Sequence, residues 1–100
     1  MLSKQELVSL LLKEEFTSIY RNEERIDVIK EGIRCCIYDS YFQLSYNILN
    51  APVMPLTIVS PRYPLNKGMA IIAYNEFKKY LISVNIHAQS NKTEDIAPQM

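Results

Sequence analysis

The chain is poor in the residues that most often carry chemistry. One histidine, His87, and two cysteines, Cys35 and Cys36, are all that its 100 residues offer for soft metal ligation. A closed zinc site draws on two separated ligand pairs, which this set does not supply. Adjacent cysteines also fit disulfide geometry poorly, so the pair reads as free thiols of a reducing compartment. A Cys–His nucleophile would need one of these thiols in a cleft beside His87 with a third group to orient it, and nothing in the spacing announces one. Glycine is scarcer still: Gly32 and Gly68 are the only two, and Lys67-Gly68 lacks the rest of a phosphate-binding loop. We expect no catalytic residue, no metal and no cofactor, and therefore a non-enzymatic protein.

Charge of one sign is also missing. Eleven basic residues balance eleven acidic ones, so no whole-chain field draws the protein onto nucleic acid or an anionic membrane. Arg21, Arg25, Lys30 and Arg34 are interleaved with Glu23, Glu24, Asp27 and Glu31, and Lys78-Lys79 is an isolated basic pair. Apolar runs such as Met69 to Tyr74 fall far short of the roughly 20 residues that cross a bilayer. The N-terminus scatters Lys4, Glu6, Lys13, Glu14 and Glu15 among its leucines, unlike a signal peptide. The expectation is a cytoplasmic chain without a membrane partner.

What is present is apolar periodicity, with 48% apolar and 22% charged residues. Ser3 and Glu6 have capping-box spacing, and Val8, Leu12, Phe16 and Ile19 then recur as on a helix, which predicts a first helix over 4–20. "LSKQELVSLLLKEEF" resembles the entering helix of an EF-hand calcium-binding protein. The following "TSIYRNEERIDV" lacks the spaced acidic ligands of the calcium loop, so the resemblance implies no calcium site. Asn22 suggests a cap, and Ile26, Ile29, Ile33, Ile37, Tyr41, Leu44 and Ile48 step by three or four, which predicts a long second helix over 23–49. Asn66 suggests another cap, for a third helix over 67–86.

Between these helices "APVMPLTIVSPRYPL" holds four prolines. Proline ends the preceding helix and keeps the chain extended, so the segment reads as a strap with at most one short edge strand, laid across Tyr38, Phe42 and Tyr46. Its "PRYP" also has the spacing of a polyproline ligand. The expected fold is all-α: a three-helix bundle with a long central helix and a proline-rich strap between helices 2 and 3. Residues 1–88 would form the domain and 89–100 a polar tail.

Two helices of such a bundle carry more apolar surface than one small core can hide. That surplus predicts an adaptor, inhibitor or assembly subunit that docks an aromatic and aliphatic helical surface on a second copy or another protein. The expected partner-binding residues are Tyr38, Phe42 and Tyr46, with Ile71, Ile82 and Ile86 as a second surface. The alternative is a dimeric nucleic-acid-binding regulator with Lys78 and Lys79 near the phosphates.

Overall fold

The computed structural model describes residues 2–48 and 56–83. It overturns the all-α expectation. The chain forms helix α1 (Lys4–Lys13), strands β1 (Thr17–Arg21), β2 (Ile26–Lys30), β3 (Ile33–Ile37), β4 (Phe42–Ile48) and β5 (Leu56–Tyr63), and helix α2 (Lys67–Ser83). The five strands make one antiparallel sheet in the order β1-β2-β3-β4-β5.

The helix starts are where the caps put them. Ser3 Oγ accepts from the Glu6 backbone N–H at 3.1 Å, and Glu6 Oε1 accepts from the Ser3 N–H at 2.8 Å. Asn66 Oδ1 accepts from the Met69 N–H at 2.9 Å. The first helix is shorter than the expected 4–20, because Glu15 takes a positive φ of 75° and Phe16 turns into the core ahead of β1. The third expected helix is observed through Ser83, and the positions 84–86 lie outside the described residues, as does the 89–100 tail.

The expected second helix is three strands. Its turns explain the error. Glu31 and Gly32 both have positive φ, 53° and 82°, which is the two-residue hairpin geometry whose twist matches the flanking strands. Tyr38 N–H donates to the Tyr41 carbonyl at 2.8 Å to close the β3–β4 hairpin. Asn22 caps a turn, not a helix: its side-chain oxygen accepts from the N–H groups of Glu24 and Arg25, both at 2.8 Å. The residues between these turns alternate with a period of two, as in the buried set Ile33, Cys35, Ile37 and again Phe42, Leu44, Tyr46.

The strap is also corrected: its described part is not laid over helices but runs as edge strand β5 beside β4. Pro61 is tolerated there because an edge needs donors on only one side. The register slips between Gln43 and Ser45, so Leu44 faces both Ser60 and Pro61. Ser60 Oγ accepts from the Leu44 N–H at 2.9 Å within this bulge. The Tyr63 ring stacks on Phe42 at 5.3 Å.

The core lies between one sheet face and both helices. Ile26, Val28, Ile33, Cys35, Ile37, Phe42, Leu44 and Tyr46 meet Leu7, Val8 and Leu11 of α1 and Ala73, Phe77 and Leu81 of α2, a two-layer α/β arrangement. Tyr74 and Lys78 tie α2 to the β2–β3 turn through Glu31, at 3.2 and 2.6 Å. These two contacts hold the Glu31 carboxyl below its ordinary pKa. Among the described residues no helix is long and apolar enough to cross a membrane.

Candidate interaction surface

Cross-strand neighbours share a face, so the register defines the side of the sheet that neither helix covers. It carries Tyr20, Asp27, Ile29, Arg34, Cys36, Gln43, Ser45, Val59 and Arg62. Asp27 is the one buried charge among the described residues, at 0% exposure, although no helix lies above it. Its two carboxylate oxygens accept from Arg25 Nε at 3.0 Å and Arg34 at 3.2 Å. Arg25 in turn covers the Tyr20 ring, 4.9 Å from its centroid. The hydrogen bond and charge of Asp27 raise the Arg25 pKa further, so the guanidinium is fixed in charge and in place.

A second group stands beside this clamp, at the β3–β4 hairpin. Tyr38 and Tyr41 stack with centroids 4.6 Å apart, and the Arg62 guanidinium lies 4.5 Å above the Tyr41 ring. No ion pair neutralises Arg62 among the described contacts. The face therefore sets three guanidinium groups and three tyrosines around the buried Asp27 carboxylate, while Asp39 of the same hairpin is paired with Lys4 of α1. The described lysines lie elsewhere: Lys4 and Lys13 on α1, Lys67, Lys78 and Lys79 on α2, and Lys30 against the Phe16 and Tyr74 rings on the helix side.

The expected partner-binding residues fare unevenly. Tyr38 is on this surface, in the ring stack. Phe42 and Tyr46 are brought together, but in the core, where the sheet and helices of the same chain cover them. Ile71 is partly buried against that core, Ile82 is exposed on α2, and Ile86 lies outside the described residues. Lys78 and Lys79, proposed for phosphate contact, pair with Glu31 and Glu76. The helical periodicity does not bring Arg25, Arg34, Tyr41 and Arg62 together as a surface; their alternation with Asp27, Cys36 and Gln43 is the signal that does.

The thiols are ill suited to nucleophilic work. Burial raises the Cys35 pKa, and burial with the nearby Asp27 carboxylate pushes Cys36 up to about 11, which leaves little thiolate at neutral pH. Among the described residues no group of three or more His, Cys, Asp or Glu side chains could hold a metal ion, and His87 is outside them. Compared with family models, curated proteins and solved structures, the chain matches none.

Proposed function

We propose that this chain is a non-enzymatic interaction module that docks an acidic protein surface onto the helix-free face of its sheet. The supporting observation is the ordered group of Arg62, Tyr41 and Tyr38 beside the Asp27-held Arg25 and Arg34. Arginine and tyrosine dominate binding hot spots, because each offers a large contact area and directed donors at little conformational cost. Here the rings and the carboxylate have already restricted the guanidinium groups, which lowers the ordering cost of binding. A cytoplasmic setting suits the two free thiols.

The test is quantitative capture from a cell extract by three forms of the full chain. Arg62→Glu combined with Tyr41→Ala should lose at least tenfold of the captured protein, since a central hot spot is worth about 2 kcal/mol or more. Lys79→Glu, on the opposite layer, should capture as the wild type does. Equal capture by all three forms contradicts the proposal.

The same face supports one further reading, because tyrosine rings and guanidinium groups on an antiparallel sheet also stack single-stranded bases. In that reading the nucleic-acid contact moves from Lys78 and Lys79 to Arg62 and Tyr41. Anisotropy of a labelled oligo-U strand that rises with added protein and collapses with salt would favour it over the protein partner.

A further inference from the structure

The outer edge of β5 differs from the edge at the other end of the sheet. β1 carries a bulge at Ile19, between Ser18 and Tyr20, and ends in Arg21. Bulges and charges are the usual guards of an unpaired edge. On β5 the guards come late, at the Ser60–Pro61 bulge and Arg62, and the four residues before them, Leu56 to Val59, are uncharged and mostly strand-favouring. No described strand pairs with their outer side. Leu56 and Val59 are 52% and 58% exposed. Beside this edge a groove of about 310 Å³ runs between β5 and α2, lined by Ile58, Ser60, Pro61, Phe77 and the half-exposed Tyr80.

We propose that β5 is a self-association edge, on which a second copy of this chain adds its own β5 antiparallel to the first. A two-fold axis at Ile58 sets Leu56 of each copy opposite Ser60 of the other and Thr57 opposite Val59. This register brings no like charges together, and it keeps Pro61, which has no donor, outside the paired core. Leu56 and Ile58 lie on the helix side of the sheet, as their pairing with Ile48 and Tyr46 fixes. The Leu56 side chain of one copy therefore enters the groove beside Ser60 and Tyr80 of the other, and both are covered. Because the β1 edge is guarded, head-to-tail addition is blocked and the assembly closes as an isologous dimer instead of a fibre. The edge shares Val59 with the arginine and tyrosine face, but pairing runs through the β5 backbone and the Leu56 side, so Leu56→Lys alone leaves Tyr38, Tyr41 and Arg62 untouched and separates this proposal from the proposed function.

Sedimentation velocity of the full chain across a concentration series tests it. The wild type should pass from monomer to dimer and no further. Leu56→Lys combined with Val59→Lys should stay monomeric over the whole series while keeping the circular dichroism and melting profile of the dilute wild type. A register check covers the case in which those lysines disturb folding. Oxidising Thr57→Cys chain mixed with Val59→Cys chain, each also carrying Cys36→Ser, should cross-link the two species to each other well above self-cross-linking of either. A wild type that is monomeric throughout, as when the edge serves a foreign peptide, overturns the proposal. So does a dimer that survives in the folded lysine variant, a ladder of higher species, or cross-linking without preference for the mixed pair.

Discussion

Asp27 is the residue on which the candidate surface turns. A fully buried carboxylate on an uncovered sheet face is stable only because two guanidinium groups replace its water. Both arginines keep about a third of their side-chain surface, at 34% and 38%, so solvent weakens each pair and the deletion cost falls between the surface and interior extremes. Asp27→Asn should destabilise the chain by about 2 kcal/mol, read from a denaturant midpoint. The same change removes a negative charge beside Cys36, whose thiol burial and Asp27 together hold at about 11. Without that charge the thiolate is less disfavoured, with Arg25 and Arg34 still alongside, so the Cys36 pKa should fall. Alkylation rate against pH on the folded chain reads the shift directly, and an unchanged profile would show that Asp27 does not govern this site.

At the scale of elements, the turns carried information that the apolar stripe concealed. Ile26, Ile33 and Ile37 fit helical spacing because two strands of period two are joined through a two-residue turn that shifts the phase, and Ile29 completes the apparent stripe from the opposite face. The outer face of β2 and β3 is not cleanly polar either, since Ile29 and Cys36 sit on it, so strict alternation was blurred. The decisive letter was Gly32. Its φ of 82° belongs to glycine, and an added Cβ would lie 3.1 Å from Tyr46 Cε1. Gly32→Ala should therefore cost about 1–2 kcal/mol, combining left-handed backbone strain with displacement of the Tyr46 ring. Thermal denaturation checks this, and an undiminished midpoint would contradict the hairpin. The capping box at Ser3 and the Asn66 cap were legible because a cap is written in two or three adjacent residues and needs no tertiary context.

For the whole molecule, the apolar surplus read from the sequence divides into two parts. Most of it, including Phe42 and Tyr46, fills the core between the sheet and the two helices. The remainder is heaviest on β5 and α2, where Leu56, Val59, Ile72, Tyr80 and Ile82 stay exposed, with Leu12 on α1 and Ile19 and Tyr20 on β1 beside them. Net charge was similarly uninformative until the fold separated its parts, because a chain of zero formal charge still sets Arg25, Arg34 and Arg62 on the open side of the sheet, while Arg21 and the described lysines lie on the helices or on the side that faces them. Only the sheet register shows that segregation, which is why the surface was invisible to composition.

Amide-resolved hydrogen exchange on the full chain, alone and bound to the protein it captures, tests the recognition face most directly. Slowed exchange should centre on the segments around Tyr20, Arg34, Tyr41 and Arg62, with α1 and α2 unchanged. Slowing confined to the helices, or to Leu56–Ser60 alone, would contradict a docking surface built from the arginines and tyrosines of the open sheet.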